Sequence, residues 1–387
     1  MIGVAYVSSY APRECGIATF TEDLIQNIDT LKVLKPSGII AINDPGSSYN
    51  YGNEVVWQID EDEISSYKEA AEYINDSEFD LVNIQHEFGL WGGMWGKDLL
   101  TFLKKLNKPI VTTMHTTLFP DAEIFQTPES VATHKKVVRG IAKASSAITV
   151  MTRMASHILQ KSYRVDKEEI KVIPHGSPSF PFIQTEPAKK DLCLEGRTVL
   201  STFGLISQDK GIEHAIKALP EIVTDHPDIL YLIIGVTHPQ VRMHQGEKYR
   251  KRLQRLVNKL DLRNNVRFHN RFLSKEELIQ YLQATDVYIC PYNKKEQLSS
   301  GTVTYAMGAG KPIISTPFYY AEELLAEGRG ILCKFRSPRS ITEGIRELVE
   351  NPEKRASIEK LAYEHGQSMT WPNVASKYID LFKEFTQ

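Results

Sequence analysis

DVYICPYNKKEQLSSGTVTYAMGAGKPIIST, residues 286–316, decides the fold. VYIC is an apolar, partly β-branched run of strand length, and KPIIST is a second. Between them a polar loop gives way to SSGTVTYAMGAG, where small residues allow close packing, which predicts a helix from Ser300 or Gly301. A strand, a crossover helix and another strand make a βαβ unit, and such units imply a parallel sheet covered on both faces. Working outward, TVLSTFG (198–204), ILYLIIG (229–235), NVRFHN (265–270) and GILCKF (330–335) supply further strands of that sheet. The first half repeats the pattern with IGVAYV (2–7), SGIIAI (37–42), EVVWQI (54–59), DLVNIQ (80–85), PIVTTM (109–114), SAITVM (146–151) and IKVIP (170–174).

Two parallel sheets fit the length, since 387 residues exceed one ordinary core. The expected organisation is an N-terminal Rossmann-like domain over 1–175, an aperiodic Pro-containing linker over 176–196 and a second such domain over 197–368. A final helix over 369–387 is expected to pack back on the N-terminal domain, because Val374, Tyr378, Leu381, Phe382 and Phe385 share one face. Open α/β sheets bind ligands beyond the carboxyl ends of their strands, so two such domains are expected to face a central cleft.

A formal net charge of −2 offers no general attraction to nucleic acid. Four scattered cysteines without C-x-x-C spacing argue against a disulfide framework and a zinc site, and for a reducing, cytoplasmic setting. The first residues read as a strand and not as a signal peptide, and no apolar run reaches the roughly 18 residues of a membrane span. The helix over 248–259 is basic and amphipathic, which suits peripheral contact with the inner face of a membrane.

Lys210 stands just ahead of a helix at the carboxyl edge of the second sheet, a position that favours a diphosphate through its charge and the helix N-terminus. Ser300, Gly301 and Thr302 let backbone amides approach an anion closely. In the first domain, Arg13 and Gly16 lie in the loop after strand one, His86 and Glu87 follow DLVNIQ, and His115 follows PIVTTM. The Gly89–Gly96 loop carries Trp91, whose face would suit a sugar. His86-Glu87 is no zinc-protease motif, since Leu90 stands where the second histidine is needed, and Asp60-Glu61-Asp62 reads as helix capping and not as a metal site.

The second half resembles the donor domain of retaining GT-B glycosyltransferases of family 4, with a strand, G-x(5)-K-G and a helix, then E-x(7)-E and A-M-x-x-G-x-P. Gly204, Lys210 and Gly211 match the first element, and Glu296, Ala306, Met307, Gly310, Lys311 and Pro312 match the later ones. VIPHG, ending in His175 and Gly176, sits where the family enters its interdomain linker. The resemblance implies transfer of a hexose from a GDP- or UDP-sugar to a saccharide or lipid-linked acceptor, with retention and without metal or other cofactor. It makes His115, Lys210 and Glu296 the catalytic group, with Gly16, Gly204, Ser300, Gly301, Thr302 and Thr304 at the donor. Arg13, His86, Glu87, Trp91 and His175 are further phosphate or acceptor contacts. Two positions depart from the family: Leu205 replaces an arginine that meets the diphosphate, and Thr304 replaces a glutamate that holds the ribose. Lys210 and the amides of Gly301 and Thr302 are expected to take over the phosphates, and Thr304 or a neighbour the ribose. A sugar-nucleotide epimerase of similar fold and a non-catalytic sugar- or nucleotide-binding protein are the alternatives, which product analysis separates.

Overall fold

The structure is a computed structural model that describes residues 1–182 and 185–386. All thirteen expected strands form. β1 (Val4–Ser8), β2 (Gly38–Asn43), β3 (Val55–Asp60), β4 (Leu81–His86), β5 (Ile110–Met114), β6 (Ala147–Val150) and β7 (Ile170–Val172) build one parallel sheet in the order β3-β2-β1-β4-β5-β6-β7. β8 (Thr198–Phe203), β9 (Ile229–Ile234), β10 (Val266–His269), β11 (Val287–Cys290), β12 (Ile313–Ser315) and β13 (Ile331–Leu332) build the other as β10-β9-β8-β11-β12-β13. Both orders reverse direction once, between β1 and β4 and between β8 and β11. In a doubly wound sheet that reversal opens a crevice at the carboxyl edge.

Two compact units result, Met1–Gly176 with Trp371–Gln387, and Ser177–Thr370. In the second, the helix Ile212–Asp225 buries Ile212, Ala215, Ile216, Leu219 and Ile222, the single stripe that a 3.6-residue period produces. This stripe packs with Leu200, Tyr231, Ile233, Val287 and Ile289 of the sheet. Each Ile, Leu or Val side chain among them, fully buried, contributes roughly 1.5–3 kcal/mol.

Two expectations change here, at the linker and in the basic helix, and the final helix packs as expected. The stretch 176–196 is not an aperiodic linker: a helix spans Thr185–Asp191, and the second unit begins at Ser177. Lys189 fixes that helix through a buried ion pair of 2.8 Å with Asp286, whose other oxygen lies 3.0 Å from the same ammonium, a contact between residues about a hundred positions apart that periodicity does not reveal. Ile183 and Gln184, inside the expected linker, and Gln387, at the end of the expected final helix, lie outside the described residues. The last helix, Trp371–Glu384, buries Trp371, Val374, Tyr378, Leu381 and Phe382 within the first unit, against the helix Gly16–Thr30. Arg250, too, differs from expectation, since it does not belong to the exposed basic face of Lys248–Lys259. It is 5% exposed and donates to the Gly235 carbonyl at 2.9 Å. Among the described residues no helix is long and apolar enough to cross a membrane.

Candidate functional site

At the β8/β11 reversal, the second unit gathers residues from two loops. β8 runs into Gly204, a short turn over Gln208–Lys210, and Gly211 ahead of the helix Ile212–Asp225. Gly211 has φ +62°, and a Cβ there would stand 2.0 Å from the Pro291 carbonyl oxygen, so only glycine lets the two loops meet. The Lys210 ammonium lies 3.9 Å from the centroid of the Tyr292 ring, within cation–π range. Tyr292 is buried and stacked on Phe318 at 5.1 Å, which makes it a rigid platform. Its hydroxyl meets Thr302 Oγ1 at 3.0 Å, and Thr302 meets Ser300 Oγ at 3.2 Å. Ser300 in turn caps the helix Gly301–Gly308 by accepting from the Val303 amide. Gly204 approaches the same helix turn, since a Cβ on it would lie 3.1 Å from Thr302 Cγ2.

Lysine, glycine, hydroxyls and helix N-terminus therefore converge within one unit. Thr202, Gly204, Leu205, Lys210, Ile212 and Ile234 line a small pocket there. The chemistry on offer is anion stabilisation by one cation and by backbone N–H groups that lack intrahelical partners. Glu296 stands in an exposed turn of the β11 loop, which is anchored on either side by Tyr319 N–H to the Lys295 carbonyl (3.0 Å) and Tyr320 N–H to the Gln297 carbonyl (3.1 Å). Thr304 is a correction. It is fully buried, donates to the Ser300 carbonyl at 2.9 Å and pairs with the Tyr320 hydroxyl, so it faces the protein interior and not a ribose.

At the β1/β4 reversal the first unit is built differently. Cys15 caps the helix Gly16–Thr30, accepting from the Ala18 amide at 3.3 Å, and the space a Cβ of Gly16 would occupy is open. Arg13 is not a cation awaiting a phosphate. Its guanidinium bonds the Ile42 carbonyl at 3.0 Å, pairs with Asp44 and lies 3.9 Å from Glu61. Glu61 thus serves this pair, and the helix Ile64–Asp76 has no side-chain cap.

His86 ends β4 fully buried, and neither ring nitrogen has a hydrogen-bond partner among the described residues. Burial, with the like charge of His134, pushes its pKa down to about 3. Glu87 accepts from the Thr116 hydroxyl at 2.6 Å and the Phe88 amide at 3.1 Å, yet burial outweighs both and raises its pKa. His115 follows β5, is 4% exposed, and its Nε2 lies 2.8 Å from Gln85 Oε1. Burial, then the like charges of His175 and His86, depress its pKa well below the histidine value. His175 bonds the Gly176 carbonyl through Nδ1 at 2.7 Å and is likewise kept neutral by burial. Phe20 stands edge-on to His115 (4.7 Å), His175 (5.1 Å) and Trp371 (5.1 Å). Trp91 is a further correction: it is 2% exposed and packs beside Tyr67 and Phe102, so it anchors its loop and presents no face to a sugar.

Sequence reading did not single out Tyr292, which seats Lys210, nor Asn83 and Gln85, which are buried behind His115. A tyrosine two residues after strand β11 and two amides in an otherwise apolar strand were the available signals.

Residues 184–365 match the family model of glycosyl transferases group 1, and residues 61–177 that of glycosyltransferase family 4. The chain is 27% identical to spore coat protein SA of Bacillus subtilis over 203 residues, covering 51% of this chain and 52% of that one. The match therefore spans about half the length of the Bacillus protein. It is 26% identical to an uncharacterized glycosyltransferase of Methanocaldococcus jannaschii over 314 residues, 79% of this chain and 75% of that one. The crystal structure of Anabaena HepE in complex with UDP and glucose shares the fold, with a TM-score of 0.76 at 16% identity over 99% of this chain and 100% of that one. With two family models covering most of its length and two parallel sheets of the GT-B kind, the chain belongs to the group 1, family 4 glycosyltransferases.

Proposed function

We propose that the protein transfers a hexose from a nucleoside diphosphate sugar to a saccharide or lipid-linked acceptor, with retention of configuration and without a metal ion. The observation that carries this reading is the convergence of Lys210, Gly204, Thr302 and the Gly301–Gly308 helix N-terminus at one sheet edge. Departure of a nucleoside diphosphate concentrates negative charge, and a fixed ammonium plus oriented amides stabilise it at little reorganisation cost. Because Leu205 brings no cation, Lys210 carries the charge that the family divides between two residues. Glu296 takes hydrogen bonds from donor-sugar hydroxyls, and the neutral ring of His115 bonds a further hydroxyl. The acceptor hydroxyl is positioned on the face the leaving group vacates, and the donor phosphate receives its proton.

The donor is a GDP- or UDP-sugar, and the similarly folded Anabaena protein holds UDP and glucose. A cytoplasmic setting is supported by four free cysteines. A lipid-linked acceptor is supported by the exposed Lys248, Lys251, Arg255 and Lys259, which suit an anionic membrane surface. The test is a panel of UDP-, GDP- and ADP-sugars, read first by thermal stabilisation and then by nucleotide release with and without chelator. One donor is expected to stabilise the protein and to be consumed equally with and without EDTA in the presence of acceptor. Donor conversion to an altered free sugar nucleotide would instead mark an epimerase.

A further inference from the structure

The turn that carries Lys210 is held by three consecutive residues of the β11 loop, and they keep its two opposite charges apart. The Tyr292 ring lies beside the Lys210 ammonium, 3.9 Å away at its centroid. The Asn293 amide donates to the Asp209 carbonyl at 2.8 Å, and Asn293 Nδ2 donates to the Gln208 carbonyl at 2.9 Å. The Lys294 ammonium meets the Asp209 carboxylate at 2.8 Å. Asp209 and Lys210 are neighbours in one short turn, so without Lys294 their charges would offset each other where an anion is to be received. Among the described residues Lys210 has no carboxylate within ion-pair distance, although one stands next to it in sequence. His238, tied to the β8 loop by its N–H to the Ile206 carbonyl at 3.0 Å, senses both charges. Its pKa is lowered chiefly by burial and further by Lys210, and Asp209 opposes this. The field of the carboxylate therefore acts in the same space as that of the ammonium.

We propose that Lys294 is a positioning residue of the donor site: by pairing with Asp209 it withholds that carboxylate from Lys210, so that the ammonium beside Tyr292 stays available to the donor diphosphate. The inference rests on the transferase reading, in which Lys210 meets that diphosphate. Leu205 sharpens the need. Where two cations stand at the phosphates, one unpaired carboxylate leaves a net positive charge, whereas beside a single lysine it leaves none. Lys294 touches no reacting atom. It acts through Asp209, and that route requires that removing Asp209 relieves the loss of Lys294. The ion pair is exposed on both sides, so it adds little to stability, and its consequence is the local charge.

The experiment titrates the full-length protein and its variants with UDP and with GDP by calorimetry at pH 8, where His238 is neutral, and takes as probe the diphosphate that binds the wild type more tightly. Lys294→Ala is expected to weaken probe binding about tenfold at about 0.05 M salt and only about two- to threefold at about 0.5 M, because salt screens an exposed charge. Asp209→Asn alone is expected to tighten binding about threefold at the lower salt, since Lys294 then adds an uncompensated positive charge. The double variant, Lys294→Ala with Asp209→Asn, is expected to return to within about twofold of the wild type. Melting temperatures should hold in all three variants. If Lys294 served merely to clasp the loop, the double variant would bind as weakly as Lys294→Ala, because neither keeps the ion pair. A direct contact of Lys294 with the diphosphate would give the same result, and that result overturns the proposal. So does unchanged binding by Lys294→Ala, or a tenfold loss that salt does not reduce. A wild type that binds neither diphosphate takes away the donor reading itself, and the proposal with it.

Discussion

The β8/β11 edge and the β1/β4 edge occupy the same topological position in their sheets, yet they are made for different electrostatic work. The first holds a lysine over an aromatic platform beside a helix N-terminus, with small residues that leave the backbone approachable. The second holds its arginine in an ion pair and its histidines uncharged and buried. One edge is arranged to receive an anion, the other to present neutral hydrogen-bonding groups from a dry surround. The difference between the two edges follows from which groups each loop can keep charged.

The largest effect should come from charging the neutral edge. Histidines whose folded pKa lies below the unfolded value contribute stability that is complete above about pH 6.5. It is lost as pH falls toward about 4 for His134 and about 3 for His86. The loss from His86 alone is on the order of 4–5 kcal/mol across that range. All four tryptophans, Trp57, Trp91, Trp95 and Trp371, lie in the first unit, so their emission reports on it selectively. On acidification tryptophan emission is expected to change ahead of the far-ultraviolet dichroism of the whole chain. Coincident transitions, or emission that holds steady down to pH 4, would show that the two units do not differ in this way.

Next is the removal of the charge at the other edge. Lys210→Ala is expected to lower kcat/KM by about 10²–10³-fold, the range for deleting one stabilising group at a developing oxyanion, while thermal stability hardly changes because the ammonium is only half-buried. Lys210→Arg should recover part of the activity, since a guanidinium also stacks on Tyr292. Wild-type turnover in Lys210→Ala would move the anion site away from β8.

Much of this was readable in the chain itself. Buried parallel strands are continuous apolar runs, so all thirteen appear in the sequence, and the glycine at 211 and the serine at 300 mark helix starts by residue type alone. What could not be read depended on distant partners. Lys210 and Tyr292 are far apart in sequence, and only the fold sets the ring beneath the ammonium. Trp91 among glycines looks like an exposed platform until Tyr67 and Phe102 are seen beside it. Arg13 looks available until the end of β2 brings Asp44 to it. Residue type reports what a side chain can do, and its burial and partners, which are tertiary facts, decide whether it does.

The smallest effect sharpens the boundary of the anion edge. Thr304 occupies the family's ribose position in sequence but lies one turn inside the Gly301–Gly308 helix, where its hydroxyl pairs with Tyr320. Thr304→Val keeps the shape and removes the hydroxyl, leaving the buried Tyr320 oxygen without that partner. The cost should be about 1–3 kcal/mol, seen as a fall of a few degrees in Tm, with donor KM unchanged. If donor KM instead rose severalfold while Tm held, Thr304 would reach the nucleotide after all. The helix would then have to turn or slide in the donor complex, because in the present packing Thr304 is closed off by Tyr320 and by its own bond to the Ser300 carbonyl.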